Sequence, residues 1–262
     1  MKHIPRKRFG QHFLTDQAVI ADIVAAIRPQ ADDAMVEIGP GLGALTAPLC
    51  AVLRHLHVIE IDRDIVQRLQ SAYASARLTV HTGDVLEFDF SALPQNLRVV
   101  GNLPYNISTP LLFHLARYAE RVCDMHFMLQ KEVVERMVAA PDGKDYGRLS
   151  VMLQYRFDME LLFEVAPGAF SPPPKVESAV VRMRPRPLAQ LTAASEAGLA
   201  QVVRCAFAQR RKTLRNSLAA LLAAEDYAAL GIAPGLRAEN LPVADFVAIS
   251  NYLSEKEKMV PN

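Results

Sequence analysis

Two short stretches place residue types at spacings that chemistry could use. In Gly39-Pro40-Gly41-Leu42-Gly43 three glycines alternate directly after the apolar run Val36-Glu37-Ile38, and a residue without a side chain lets a ligand lie against the backbone. The spacing is G-x-G-x-G rather than the G-x-G-x-x-G of a pyrophosphate cradle. Pro40 also removes one backbone N–H that a phosphate would use. Both features favour a cofactor without a pyrophosphate. Glu60 closes the apolar run His57-Val58-Ile59 about 20 residues after the first glycine, where an acid that takes ribose hydroxyls is expected. A Gly-Pro-Gly cluster alone would be an ordinary turn; with Glu60 it points to a nucleoside cofactor.

The second stretch, Gly101-Asn102-Leu103-Pro104-Tyr105, suits alkylation of an exocyclic amine on a base. The lone pair of such an amine is delocalised into the ring, and acceptors that hold its hydrogens can direct it toward an electrophile. The Asn102 side-chain carbonyl and a backbone carbonyl fixed by Pro104 would be those acceptors, so the main contribution is positioning rather than a strong base. Tyr105 can stack on the base for roughly 1–3 kcal/mol, comparable with the cost of pulling that base out of its stack. Without the preceding strand and glycine loop, Pro-Tyr would read as a turn.

The elements around these stretches must bring them together. Thr15 is placed to cap a helix whose apolar positions Val19, Ile20, Ile23, Val24 and Ile27 recur at helical spacing before Pro29. After the glycine loop, strands and helices alternate: a strand to Ile61, a helix over about 64–76, strands at 78–81 and 97–100, a helix around 111–118, an apolar run at 125–129 and a helix over about 131–140. Such alternation predicts a mostly parallel sheet covered by helices on both faces. Glu60, Asp84 and Asn102 then fall just past the ends of successive strands, which line one edge of such a sheet. There Glu60 takes ribose hydroxyls, Asp84 accepts from an adenine amino group, and Asn102 faces the reacting partner. Helix and strand follow over 148–165, with another strand at 178–183. Pro185-Arg186-Pro187 marks the expected domain boundary, dividing a catalytic domain over 1–186 from a smaller Ala- and Leu-rich helical domain over 187–262.

At 262 residues and 51% hydrophobic, the chain can bury one large core with a smaller appendage. No stretch reaches the ~18 uninterrupted apolar residues of a membrane span. The three cysteines, Cys50, Cys123 and Cys205, fit no zinc spacing, and a reduced, cytoplasmic protein is the simplest reading. Net charge is only +1, but it is unevenly spread. Lys2, Arg6, Lys7 and Arg8 have no acid near them, nor do Arg204, Arg210, Arg211, Lys212 and Arg215, while Lys175, Arg182, Arg184 and Arg186 face one glutamate, Glu177. Basic clusters on an otherwise acidic chain fit polyanion binding; the alternative is a set of solvated faces that never meet.

The run Glu37-Ile-Gly-Pro-Gly-Leu-Gly43 with Asn102-Leu-Pro-Tyr105 resembles the S-adenosyl-L-methionine-dependent ribosomal RNA adenine N6-dimethyltransferases. The resemblance extends through Arg8-Phe-Gly-Gln-His-Phe-Leu14, Asn106-Ile-Ser-Thr-Pro-Leu111, His126-Phe-Met-Leu-Gln-Lys-Glu132, Tyr146-Gly-Arg-Leu-Ser150 and Ala169-Phe-Ser-Pro-Pro-Pro-Lys-Val176. It continues more weakly into Gln209-Arg-Arg-Lys-Thr-Leu-Arg215. Within that family it is most similar to the small-subunit type, which dimethylates two adjacent adenosines near the 3′ end of 16S rRNA. The resemblance implies an α/β, Rossmann-like methyltransferase sheet with a smaller C-terminal helical domain. It maps S-adenosyl-L-methionine binding onto His12, Leu14, Gly39, Glu60, Asp84 and Asn102, with His12 standing where relatives often carry Asn. It maps the reacting site onto Asn102, Leu103, Pro104 and Tyr105, with Phe170 as an aromatic opposite the motif tyrosine; a core phenylalanine is the alternative there. RNA contacts are expected from Arg6, Lys7, Arg8, Arg210, Arg211, Lys212 and Arg215. No metal is required, because a sulfonium is already electrophilic. The implied partner is 16S rRNA within the small ribosomal subunit or an assembly intermediate, met by a monomer with no membrane attachment. A large-subunit enzyme of the antibiotic-resistance type, an assembly factor that does not need catalysis and a nicotinamide-dependent oxidoreductase are the competing readings.

Overall fold

The computed structural model describes residues 12–259, and the chain divides into two compact units. One holds residues up to Val134 together with Asp158–Pro185, the other Glu135–Phe157 together with the chain from Arg186 onward. In the first unit the order is β1 (Phe13–Leu14), α1 (Gln17–Ile27), β2 (Met35–Ile38), α2 (Thr46–Val52), β3 (Leu56–Glu60), α3 (Arg63–Ala72), β4 (Leu78–Thr82), β5 (Leu97–Asn102), α4 (Ser108–Ala116) and β6 (Val122–Gln130), and the division falls within α5 (Lys131–Val138). The chain returns to the first unit for β7 (Phe157–Val165), β8 (Phe170–Ser171) and β9 (Ser178–Pro185).

Seven strands form one sheet in the order β4-β3-β2-β5-β6-β9-β7. Strands β4, β3, β2, β5 and β6 run parallel, and β9 is antiparallel to β6. Parallel strands buried on both faces need continuous apolar runs, and Met35, Val36, Ile38, Val99, Val100, Phe127 and Leu129 supply them, all buried. Strand order reverses beside β2, with β3 and β4 on one side and β5 and β6 on the other. The carboxyl ends part at that point and leave a crevice. At the opposite end of β5, Arg98 locks the frame: its guanidinium reaches Asp124 at 2.8 and 2.9 Å, Asp33 at 2.6 Å and the Ile27 carbonyl at 2.6 Å.

Several local expectations shift. The cap of α1 is Asp16, not Thr15: the Asp16 carboxylate accepts the Ala18 and Val19 N–H groups, whereas the Thr15 hydroxyl donates to the Ala169 carbonyl. A charged acceptor at the N-terminus satisfies donors that the helix itself cannot. Helix α3 stops at Ala72, before the expected 76, where Tyr73 turns extended.

The second unit adds α6 (Arg148–Arg156), α7 (Glu196–Ala206), α8 (Leu214–Ser217), α9 (Ala224–Leu230) and α10 (Val243–Met259). Its core gathers Tyr146, Val151 and Tyr155 with Leu199, Val203, Leu214 and Phe246. The expected boundary after 186 therefore needs correcting for 135–157. That stretch packs with the later helices because its aromatic residues find their cover there, and the Tyr146 hydroxyl donates to the Leu241 carbonyl at 2.9 Å. Among the described residues no helix is long and apolar enough to cross a membrane, and no cluster of His, Cys, Asp and Glu is arranged to hold a metal ion.

Candidate functional site

A pocket of about 300 Å³ opens at the crevice beside β2. His12, Leu14, Gly39, Glu60, Asp84, Asn102, Leu103, Pro104 and Tyr105 all line it, so residues from five separate parts of the chain meet at one place. The glycine loop forms its floor. Gly39, Gly41 and Gly43 have φ of +63°, +54° and +91°, a region that side chains rarely adopt. At Gly41 there is a second constraint, since a Cβ would sit 3.1 Å from the Phe13 ring. Phe13 and its neighbours are held over the loop because β1 pairs antiparallel with β8, Phe13 against Ser171 and Leu14 against Phe170. The Thr15 N–H adds a bond to the Ala169 carbonyl at 2.8 Å.

Two acids face the pocket from neighbouring strand ends. Glu60, the last residue of β3, accepts the N–H groups of Ile61 and Asp62 at 2.8 Å each. Burial raises its carboxyl above the ordinary range and the backbone donors, including Gly41, oppose that shift. A carboxylate fixed in this way keeps lone pairs for vicinal hydroxyls. Asp84 lies two residues past β4, is exposed, and accepts the Leu86 N–H at 2.9 Å. That bond turns the loop and leaves acceptor capacity toward the pocket.

The opposite wall carries the acceptors for an amine. The Asn102 side-chain N–H donates to the His12 backbone carbonyl at 3.2 Å, which orients the amide and leaves its oxygen as an acceptor. The Pro104 carbonyl is already taken by the Ile107 N–H at 3.2 Å and the Ser108 hydroxyl at 3.1 Å. The Leu103 carbonyl, in the peptide bond that Pro104 stiffens, is therefore the backbone acceptor that suits the pocket. The His12 ring lies near-parallel to Tyr105 with centroids 5.9 Å apart. Its Nδ1–H donates to the Pro172 carbonyl at 2.8 Å, which places the proton on Nδ1. His12 thus acts on Asn102 through its backbone, a use open to any residue at that position.

Phe170, expected opposite Tyr105, is buried. It is 4% exposed, packs in the apolar cluster with Phe13, Leu14 and Val180, and does not line the pocket. Pairing of β8 with β1 sets it opposite Leu14. Arg210, Arg211, Lys212 and Arg215 belong to the second unit, in and just after the turn that follows α7. All four are exposed, and Arg210 is tied to the Lys144 carbonyl and to Glu239. Arg6, Lys7 and Arg8 lie outside the described residues.

Two groups, one lining the pocket and one behind Tyr105, escaped the sequence reading. Glu37 is 2% exposed inside β2 and lines the pocket floor. Burial pushes its carboxyl up to about 7, against a hydrogen bond from the Thr46 hydroxyl at 2.7 Å and with Glu60 nearby. Its signal was an acid within a wholly buried strand, Met35-Val36-Glu37-Ile38. Ser178, which meets the Tyr105 hydroxyl at 2.7 Å, had no signal in its own surroundings.

A family model described as ribosomal RNA adenine dimethylase matches residues 2–255. The chain is 64% identical, over 97% of its length and 98% of the relative's, to the ribosomal RNA small subunit methyltransferase A of Chromobacterium violaceum. Among solved structures, a dimethyladenosine transferase from Plasmodium falciparum has a TM-score of 0.80 at 24% identity, covering 94% of this chain and 98% of that one. The 23S rRNA methyltransferase ErmE has a TM-score of 0.71 at 25% identity, covering 92% and 99%.

Proposed function

The chain belongs to the ribosomal RNA adenine dimethylase family, and from that premise we propose that it dimethylates N6 of two adjacent adenosines near the 3′ end of 16S rRNA in the small ribosomal subunit. The observation that carries this reading is the Asn102 amide, held by the His12 carbonyl in a pocket that Glu60 and Asp84 also line. The pocket fits S-adenosyl-L-methionine. Glu60 suits its ribose hydroxyls, Asp84 its adenine amine, and the Gly39–Gly43 loop offers backbone contact without the full set of donors that a pyrophosphate needs. When bound, the cofactor supplies an electrophilic methyl group on a sulfonium.

The chain's own part is to present the amine. The Asn102 Oδ1 and the Leu103 carbonyl accept the two N6 hydrogens, which draws the lone pair out of conjugation and aims it into the pocket. The Tyr105 ring receives the face of an adenine removed from its stack. Each transfer releases one N6 proton to solvent, since neither carbonyl is a base; after the first the amine retains one hydrogen, and one of the two acceptors presents it again. Exposed Arg211, Lys212 and Arg215 contribute phosphate contacts from the second unit. The enzyme works as a monomer in the cytoplasm, where its substrate is assembled, and its role extends to subunit biogenesis.

The test is transfer of labelled methyl from S-adenosyl-L-methionine to small subunits that lack the modification, followed by mass mapping of the RNA. Label on two adjacent adenosines near the 3′ end is the expected result. Label confined to large-subunit RNA would assign the enzyme to the ErmE-like reaction. No label with subunit binding intact would leave an assembly factor.

A further inference from the structure

The segment joining β8 to β9 reaches the reacting wall of the pocket twice. Pro172, directly after β8, accepts the His12 ring proton, and Ser178, which opens β9, meets the Tyr105 hydroxyl. The two hydroxyl-bearing residues differ in what holds them. Ser178 is 0% exposed and its backbone pairs with Gln130 of β6, so its oxygen is anchored to the sheet. Tyr105 is only partly buried and sits on a turn outside any strand, with two rotatable bonds between its ring and the backbone. The hydroxyl is the point of that ring furthest from the chain. Because the hydroxyl lies on the axis of the Cβ–Cγ bond, a hydrogen bond there holds the Cα–Cβ torsion and so fixes where the far end of the ring sits. Burial raises the Tyr105 phenol above its ordinary value, so the group keeps its proton and the pair stays neutral.

We propose that Ser178 is a positioning residue for methyl transfer: by tying the Tyr105 hydroxyl to the sheet, it fixes the direction in which the ring extends and so the place of the surface against which the target adenine lies. The inference rests on the reading of Asn102 to Tyr105 as the face that receives the base. Stacking alone would be served equally by phenylalanine, so the hydroxyl has a separate task. That task is angular: a ring free to swing about its Cα–Cβ bond still binds the base, but carries its N6 away from the Asn102 and Leu103 acceptors.

The experiment compares the wild type, Ser178→Ala, Tyr105→Phe and the double variant in methyl transfer to small subunits that lack the modification. Each single change should lower kcat about tenfold and leave the KM for S-adenosyl-L-methionine unchanged, because the acids that hold the cofactor are untouched. The double variant should be no slower than either single, since both remove one and the same bond. The fraction of product halted at monomethyladenosine should rise, because the amine must be presented twice; a mere packing role would reduce the amount of folded enzyme without moving that fraction. Tyr105→Phe probes the bond from its less buried side should Ser178→Ala fail to fold. Full kcat in Tyr105→Phe, or losses that multiply in the double variant, would overturn the proposal. A wild-type enzyme that leaves the RNA unlabelled would instead overturn the assigned reaction.

Discussion

Adding one methyl group at Gly101 probes the site at its tightest backbone approach. Gly101 precedes Asn102 at the end of β5, and a Cβ there would lie 2.6 Å from the Ile38 carbonyl oxygen and 3.0 Å from the Leu103 Cδ2. Unbonded carbon and oxygen normally stay about 3.3 Å or more apart, so the ends of β2 and β5 must separate by more than half an ångström. No change of rotamer relieves a clash with a backbone atom. Overpacking of this kind costs about 1–3 kcal/mol, and a value of about 2 kcal/mol lowers the melting temperature by roughly 4–8 °C for a chain of this size. Asn102 moves with the strand. Since a misplacement of about 1 Å can cost 100-fold in rate, half of that predicts about a tenfold loss of kcat in Gly101→Ala. Calorimetry and the methyl-transfer assay read the two effects. Gly168→Ala is the control, because nothing lies within 4 Å of its added Cβ, and its stability should stay within about 0.5 kcal/mol of wild type. A Gly101→Ala enzyme that melts and turns over like wild type would refute the reasoning that a rigid β5 places Asn102.

Asn102→Ala should lower kcat by about 10²–10³-fold, the size expected for removing one oriented polar group from a reacting site, while binding to small subunits survives; equal loss of both would count against a role in the chemistry. Glu37 is a test of electrostatics. Its carboxyl lies at about 7 in the folded chain against an ordinary 4.5, so the folded state holds a proton that the unfolded state releases above about pH 4.5. Wild-type stability contributed by this group therefore falls as pH rises from 4.5 to about 7 and is level beyond. Ligand-free Glu37→Gln should be more stable than wild type at pH 8, by on the order of 3 kcal/mol, with the advantage shrinking toward pH 5; a difference that ignores pH would refute the assignment. Arg211→Glu with Lys212→Glu should weaken RNA binding and flatten its salt dependence by about 0.7–0.9 per lost phosphate contact, and an unchanged slope would remove those residues from the interface.

The crevice was legible because its groups lie at strand ends, where parallel topology dictates their placement. The glycine loop, Glu60, Asp84 and Asn102 needed only the order of elements to be brought together, and the structure gathers them around one pocket. What stayed hidden depends on partners distant in the chain. Glu37 acquires its raised carboxyl from burial, with Glu60 adding to it and the Thr46 hydroxyl opposing it, and Ser178 acquires meaning only by meeting Tyr105. The burial of Phe170 likewise comes from afar, since the pairing of β1 with β8 sets it beside Leu14 and among apolar residues from other parts of the chain. The same holds for 135–157, whose apolar residues resemble those of the preceding helices but are covered by α7 and α10. The cap of α1 shows the smaller kind of error, where Thr15 and Asp16 are both capable and geometry selects the one whose oxygen reaches two amides.

The register of β6 against β9 also bears on how the chain is made. Five parallel strands can assemble once Gln130 has left the ribosome, but the free edge of β6 waits for Ser178–Pro185 to emerge. At about 5–20 residues per second that interval lasts roughly 2–10 s. During it the nascent chain displays a long apolar strand with open hydrogen-bonding groups, the kind of surface that pairs with other chains. Of the residues synthesised meanwhile, 135–157 belong to the other unit, and β7 is the neighbour of β9 rather than of β6 in the finished sheet. Early protection by a chaperone would thus have to act on β6. Tyr105 waits longer than the cofactor-side acids for its support, because Ser178 arrives with the strand that closes the edge, so nascent chains acquire the reacting wall of the pocket last.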